Sequence, residues 1–241
     1  MILAAPRTGT NMLCALLGSH PDILCHHELF NPGGIYTALE LRDTSFDAGT
    51  IAARDRDPLG FLDRIWTMDR GRSHVGFKMT CGQNETALYA VLRDPAVRTI
   101  VLRRENRVRT FVSRLIAEQT GQWEVYDEAD LRLPRPRVRV DVDALHRSIA
   151  ENEAYYAELE RVRQSTRQAF LSVSYERLVA GGERSRLLEF LGLPAAPGAE
   201  DTLLVRSARQ NGARLEQLTA NFPELRAALS GTDLAPDLVD A

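Results

Sequence analysis

The first 17 residues of the chain have the pattern of a β-strand, a short loop and an α-helix. Met1 to Ala5 form an unbroken apolar run, as expected for a buried strand. Pro6 to Asn11 form a loop of Pro, Gly and Thr, and the apolar residues that follow have helical spacing: Met12, Leu13, Leu16 and Leu17. Asn11 is expected to cap this helix. A strand that turns directly into a helix gathers backbone N–H groups and the positive end of the helix dipole, so the loop predicts an anion site.

Strands and helices continue to alternate along the chain. Further strands are predicted at His74–Thr80, Val97–Leu102 and Ala169–Val173, and helices at about 106–123, 141–164 and 183–191. The charged, proline-rich segment 126–140 is predicted to be an exposed loop. This alternation indicates an α/β fold, with a central parallel sheet of about four or five strands flanked by helices. We expect one domain that spans residues 1–241.

Composition narrows the classes of function. The net charge of −3 does not suggest a nucleic-acid-binding protein, so any anionic ligand must be held locally. The three cysteines lack CxxC spacing, which argues against structural zinc or a disulfide framework. No run approaches the roughly 18 apolar residues of a membrane span. A signal peptide has one unbroken apolar segment, whereas the loop from Pro6 to Asn11 divides the apolar residues here into two short runs. These features predict a cytoplasmic protein without a transmembrane segment.

The loop after the first strand carries side chains suited to phosphate or sulfate. Arg7 supplies a fork of donors, Gly9 lets the backbone approach a ligand, and Thr8 and Thr10 add hydroxyl groups. Nucleotide hydrolases and kinases use GxxxxGK[ST], in which the Ser or Thr binds magnesium. This loop has no GK[ST], so it favours a ligand that needs no metal. An ordinary strand–helix turn remains the alternative on these residues alone.

Several segments, taken in order, resemble one known family. PRTGTN, SHPDILCHHELFNP, HVGFKM, VLRREN, EQTGQW, SYERL and RQNGAR are similar to segments of bacterial carbohydrate sulfotransferases of the nodulation-factor and trehalose types. These enzymes use 3'-phosphoadenosine-5'-phosphosulfate (PAPS) and release 3'-phosphoadenosine-5'-phosphate. The resemblance implies a P-loop-like sulfotransferase fold and an acceptor hydroxyl on a small molecule, a carbohydrate or a glycolipid. By analogy, it also implies a homodimer.

The resemblance assigns nucleotide-binding residues. The loop that holds the 5'-phosphosulfate would consist of Pro6, Arg7, Thr8, Gly9, Thr10 and Asn11. Arg104 and Ser113 would hold the 3'-phosphate, with Arg103 as the alternative arginine. Tyr175 would approach the adenine, and Arg209 would make a further phosphate contact.

The resemblance also assigns catalytic residues. An acceptor alcohol loses its proton as it attacks, which requires a general base, and Glu28 occupies the position of the proposed base in the family. His26 and His27 compete for this role because imidazole titrates near neutral pH. Arg7 would stabilise charge on the 5'-phosphate, and Lys78 would face the sulfuryl group or the acceptor.

Two other functions fit part of the pattern. A P-loop kinase or hydrolase would share the strand–loop–helix unit but would require magnesium ligands. A non-catalytic nucleotide-binding protein would keep the loop without the chemistry. The joint presence of Arg7, Glu28, Arg104 and Ser113 favours the enzyme.

Overall fold

A five-stranded parallel sheet forms the centre of the molecule. The computed structural model describes residues 1–41, 48–166, 168–194 and 210–239. The strands are β1 (Ile2–Ala4), β2 (Ile23–His26), β3 (His74–Thr80), β4 (Thr99–Arg103) and β5 (Phe170–Ser174). Their order across the sheet is β2-β3-β1-β4-β5, and every neighbouring pair is parallel. The predicted α/β fold with a parallel sheet is confirmed.

Helices connect the strands and follow the last of them. Those in the described residues are α1 (Thr10–Gly18), α2 (Ala48–Arg56), α3 (Pro58–Thr67), α4 (Glu85–Arg93), α5 (Arg107–Thr120), α6 (Val142–Ser165), α7 (Tyr175–Val179), α8 (Arg184–Leu191), α9 (Leu215–Leu218) and α10 (Phe222–Leu229). Side-chain caps define several of their starts. Asn106 accepts a hydrogen bond from the N–H of Arg109 at the start of α5, and Asp141 accepts one from Ala144 at the start of α6.

Apolar layers cover both faces of the sheet. On β1, Leu3 packs with α3, α4 and α6, whereas Ile2 and Ala4 pack with α1, α7 and α8. This alternation follows from the two-residue repeat of a strand, and burial on both faces explains why β1 is apolar throughout. A third cluster joins α5 to α9 and α10. Each fully buried Leu or Ile in these layers contributes about 1.5–3 kcal/mol.

Two segments differ from the sequence-based expectation. Strand β2 was not predicted, because its apolar run is only three residues long and is followed directly by polar residues. The segment 126–140, predicted to be exposed, has an ordered end: the N–H of Val138 donates to Leu218 at 2.8 Å, and Val138 and Val140 are buried. Arg137 and Arg139 alternate with these valines and are exposed. The prediction was therefore wrong for residues that follow a two-residue repeat.

The parallel arrangement places the carboxyl ends of all five strands at one edge. The loop at Pro6 follows β1, Glu28 comes shortly after β2, and Gln83 follows β3. Arg104 follows β4 and Tyr175 follows β5. Ligands of open α/β sheets bind at this edge, so the fold brings together several residues that the sequence singled out and adds Gln83 to them.

Candidate active site

The loop between β1 and α1 has a backbone conformation that few residues adopt. Arg7 and Gly9 have φ values of 65° and 98°. A methyl group on Gly9 would overlap the ring of Tyr175, so only glycine fits. The hydroxyl of Thr8 donates to the carbonyl of Ala5 at 2.9 Å, which uses it inside the loop. The hydroxyl donor expected from Thr8 is therefore engaged with the backbone.

The remaining loop residues lead into α1. Pro6 lies in the turn, and Thr10 is the first residue of the helix and is buried. The helix begins after Gly9, so Asn11 lies inside its first turn and does not cap it. The predicted cap was wrong. The side-chain oxygen of Asn11 instead accepts a hydrogen bond from Nζ of Lys78.

The guanidinium of Arg7 joins distant parts of the chain. Its Nε donates to Oγ of Ser113 at 3.2 Å, and its NH2 donates to Oε1 of Gln210 at 2.8 Å. Its NH1 donates to the backbone carbonyl of Trp123. Burial, followed by the positive charges of Arg104 and Arg135, lowers the pKa of Arg7 to about 10. The group remains charged at neutral pH, and these like charges favour a bound anion.

Arg104, and not Arg103, points toward this loop. The NH1 of Arg104 donates to the carbonyl of Arg7 at 3.4 Å, and its guanidinium lies 4.6 Å from the centroid of the Tyr175 ring. Arg103 extends away from the loop and lies over the ring of Tyr156 at 4.1 Å. Successive residues of an extended chain face opposite sides, which explains the separation of Arg103 from Arg104.

Ser113 lies on α5 and is buried beside Arg7. Its Oγ accepts hydrogen bonds from Nε of Arg7 and from Nδ2 of Asn211, the latter at 3.1 Å. A hydroxyl carries one proton besides its lone pairs, and this proton has no acceptor within the part of the chain that the structure describes. The proton is therefore available to an anionic ligand.

A second cluster surrounds the carboxylate of Glu28. Lys78 Nζ donates to Oε1 at 2.7 Å, and the side-chain amides of Asn31 and Gln83 each donate to Oε2 at 2.7 Å. Burial alone would raise the pKa of Glu28, but Lys78 and the two amides together lower it below its ordinary value. The carboxylate is therefore ionised at neutral pH, and its side chain remains 19% exposed.

The two histidines before Glu28 are both buried. Nδ1 of His26 accepts a hydrogen bond from the N–H of Ala38 at 3.2 Å, and burial lowers the pKa of His26 to about 4. Nδ1 of His27 lies 3.0 Å from the hydroxyl of Tyr126, which also donates to Glu124. His26 is thus neutral and enclosed, whereas His27 lies in a polar cluster with Tyr126 and Glu124.

A buried arginine fastens the loop that carries Glu28 and Asn31. Arg54 of α2 is 1% exposed, and its NH1 donates to the carbonyls of Leu29, Asn31 and Gly34, each at 2.9 Å. Oδ1 of Asp55 lies 2.8 Å from Nη2 of Arg54 and balances the charge of the guanidinium. The guanidinium therefore satisfies loop carbonyls that would otherwise lie buried without donors.

Several residues of the site were not identified from the sequence: Asn31, Arg54, Gln83, Glu124, Tyr126, Arg135, Gln210 and Asn211. The predicted phosphate contact Arg209 lies outside the described residues. Its neighbours Gln210 and Asn211 contact Arg7 and Ser113, so the RQNGAR segment does reach the site. None of the described helices is both long and apolar enough to cross a membrane.

Similar proteins were found by sequence and by structure. Nodulation protein H of Rhizobium meliloti (strain 1021) is 31% identical over 238 residues, which cover 93% of this chain and 88% of that protein. Nodulation protein H of Rhizobium tropici is 28% identical over 246 residues, covering 96% and 89%. A sulfotransferase from Alicyclobacillus acidocaldarius has a similar fold, with a TM-score of 0.50, 16% identity and coverage of 98% and 91%. No family model matches the chain.

Proposed function

Because the chain belongs to the sulfotransferase family that includes Nodulation protein H, we propose that it transfers the sulfuryl group of PAPS to an acceptor hydroxyl, with Glu28 as the general base. One observation carries this proposal. Nζ of Lys78 donates one hydrogen bond to Asn11, in the loop of residues 6–11 that we call the phosphate loop, and another to Oε1 of Glu28. A carboxylate base and an anion-binding loop thus lie on either side of one ammonium group.

The nucleotide end of the site has donors for two phosphate groups. Arg7 and the backbone of residues 6–11, at the start of α1, would hold the 5'-phosphosulfate. Arg104 and Ser113 would hold the 3'-phosphate, and Tyr175 would contact the adenine. The unused proton of Ser113 supports this fit, because the hydroxyl already accepts two hydrogen bonds. Arg209 remains a proposed further contact.

Glu28 has the capacity left to accept a proton. An ionised carboxylate offers about four lone-pair sites, and Lys78, Asn31 and Gln83 occupy three of them. With the donors of the described residues counted, the remaining site lies on Oε1, where an acceptor hydroxyl would bind next to the ammonium of Lys78.

Each charged group of the site has a part in the reaction. Bound PAPS supplies the sulfuryl group and leaves as 3'-phosphoadenosine-5'-phosphate. Glu28 takes the proton of the attacking hydroxyl, while Arg7 stabilises charge on the leaving phosphate and Lys78 stabilises the sulfuryl oxygens. His27 contacts the hydroxyl of Tyr126 and is proposed to orient the acceptor.

The acceptor is proposed to be a small molecule, a carbohydrate or a glycolipid that presents a hydroxyl. Glu28 is partly open to solvent, which allows a ring or chain to extend outward while its hydroxyl reaches the carboxylate. A single domain over residues 1–241, a homodimer and a cytoplasmic location remain predictions of the sequence.

The test is a calorimetric titration with 3'-phosphoadenosine-5'-phosphate, AMP and ATP-magnesium. We expect the first to bind at least tenfold more tightly than AMP, because only it carries the 3'-phosphate, and we expect Arg104→Ala to remove most of this preference. Incubation with labelled PAPS and candidate acceptors would then identify the sulfated product. ATP-magnesium binding as tight as that of the 3'-phosphorylated nucleotide would overturn the proposal in favour of a kinase or hydrolase.

A further inference from the structure

Arg135 approaches the nucleotide site from a segment that was predicted to be an exposed loop. Its Nε donates to Oδ1 of Asn211 at 3.1 Å, and its NH1 donates to Oε1 of Gln122 at 2.8 Å. Arg135 is half-buried, whereas Arg137 and Arg139 of the same segment are exposed. Arg135 therefore faces the protein, unlike these neighbouring arginines.

One nitrogen of Arg135 is buried without a partner. Its NH2 group has no hydrogen bond to any residue in the described ranges. A buried donor left unsatisfied is destabilising, and more so when it is charged. Such a group calls for an acceptor that the described residues do not supply.

The charges around Arg135 indicate what that acceptor is. Burial lowers the pKa of Arg7, and the positive charges of Arg104 and Arg135 lower it further. Arg7 thus has two other guanidinium groups near it, and an anion bound beside Arg7 would offset their positive charge. A phosphate group, with its several acceptor oxygens and negative charge, meets both requirements.

Asn211 connects Arg135 to a specific position in the site. Its Oδ1 accepts from Nε of Arg135, while its Nδ2 donates to Oγ of Ser113. One amide therefore separates the guanidinium of Arg135 from the hydroxyl whose proton is unused. Arg135 and Ser113, the two residues with an unused donor among the described residues, are thus both bonded to the side-chain amide of Asn211.

We propose that Arg135 is a further binding residue for the 3'-phosphate of the nucleotide, to which its NH2 group donates beside Ser113. The inference rests on the proposed use of PAPS and names a determinant of specificity for that donor. It also gives a binding role to one arginine of the charged segment 126–140, which the sequence predicts to be an exposed loop.

The experiment compares Arg135→Met with Arg139→Met, which removes an exposed arginine of the same segment. Each protein is titrated with 3'-phosphoadenosine-5'-phosphate and with AMP, which differ only in the 3'-phosphate. We expect Arg135→Met to bind the first at least tenfold more weakly and AMP within twofold of wild type. Arg139→Met should match wild type with both ligands.

The outcomes separate the inference from the proposed function. If wild type does not distinguish the two nucleotides, both are overturned. If wild type prefers the 3'-phosphate and Arg135→Met keeps that preference, or weakens both ligands equally, only the role of Arg135 is overturned. Should Arg135→Met not fold, Arg135→Lys retains the charge and a donor; it should bind AMP normally and the 3'-phosphorylated nucleotide with an intermediate loss, and an unchanged preference would again overturn the inference.

Discussion

The ring of Tyr175 occupies the space that a side chain on residue 9 would fill. Gly9 lies in the phosphate loop that follows β1, and Tyr175 is the first residue after β5, so the contact joins segments that follow two different strands. The guanidinium of Arg104 covers the same ring. The conformation of the phosphate loop is therefore coupled to the proposed adenine and 3'-phosphate contacts.

Replacing Gly9 by alanine should be more damaging than the same change at an open glycine. Gly231 also has a positive φ, of 75°, but no atom lies within 4 Å of an added methyl group. Gly231→Ala should cost about 1–2 kcal/mol of backbone strain. Gly9→Ala should cost a further 1–3 kcal/mol, roughly, from overlap with Tyr175. Urea unfolding measures both.

The double variant Gly9→Ala/Tyr175→Ala isolates the overlap. In the Tyr175→Ala background, the cost of Gly9→Ala should fall to that of Gly231→Ala, because the ring is gone. An equal cost in both backgrounds would contradict the predicted overlap.

Lys78 is the only lysine of the chain, and it controls the charge of Glu28. Lys78→Met leaves the burial of Glu28 in place but removes the ammonium, so we expect the pKa of Glu28 to rise above its ordinary value of 4.5. NMR titration of protein labelled at the glutamate carboxyl carbons, with Glu28→Gln to assign the signal, measures this. Asn31→Ala should cause a smaller rise, and an unchanged titration in Lys78→Met would rule out the control by Lys78.

Glu28→Gln should separate transfer from binding. The amide keeps the shape of the side chain but cannot take the proton of the acceptor, so transfer should slow by about 10²–10⁴-fold. Affinity for 3'-phosphoadenosine-5'-phosphate should stay within twofold of wild type. Glu118→Gln, which changes an exposed carboxylate paired with Arg114, serves as the matched control. Undiminished transfer by Glu28→Gln would remove Glu28 as the base.

The loop between β1 and α1 and the pair Arg103 and Arg104 could be predicted because they follow local patterns. The order strand, loop, helix is visible in the apolar spacing around Pro6 to Asn11, and both arginines come directly after an apolar run. The resemblance to a known family favoured Arg104 and added Glu28. Each of these residues is identified by its immediate neighbours in the sequence.

The polar residues around Glu28 could not be predicted in this way. Gln83 reaches Glu28 across 55 positions, and its amide differs in no visible way from the amide of a surface residue. Nothing in the sequence around Asn31 distinguishes it from a surface residue either. Arg135 lies in a run of arginines and prolines that indicates exposure, and its spacing from Val138 and Val140 is that of the exposed Arg137 and Arg139, not that of a buried residue. Tertiary pairing decides the role of such side chains.

Arg54 should affect transfer through the loop that carries Glu28. Arg54→Met removes the donors to three loop carbonyls, so the loop should loosen and the turnover number should fall at least tenfold. Nucleotide affinity should change less than twofold, because no described contact joins Arg54 to the phosphate loop. The pKa of Glu28 should also rise as Asn31 moves away, which the NMR titration detects.

A conservative variant distinguishes loop positioning from general destabilisation. Arg54→Lys keeps a charge and three N–H donors, and it should restore part of the turnover and of the Glu28 titration. Equal losses of turnover and nucleotide affinity in Arg54→Met would indicate a purely structural role.

His26 should make the stability of the protein depend on acid pH. The pKa of His26 is about 4 in the folded protein, against 6.5 for an ordinary histidine, because burial disfavours the imidazolium. Between these values the unfolded chain binds the proton and the folded protein does not, so the free energy of unfolding falls as the pH falls from 6.5 toward 4. The loss attributable to His26 should be about 2 kcal/mol at pH 5 and about 3 kcal/mol at pH 4.

His26→Asn keeps an acceptor for the N–H of Ala38 without a titrating ring, and its free energy of unfolding in urea should depend less on pH by these amounts. Parallel pH profiles for the two proteins would show that His26 does not cause the loss.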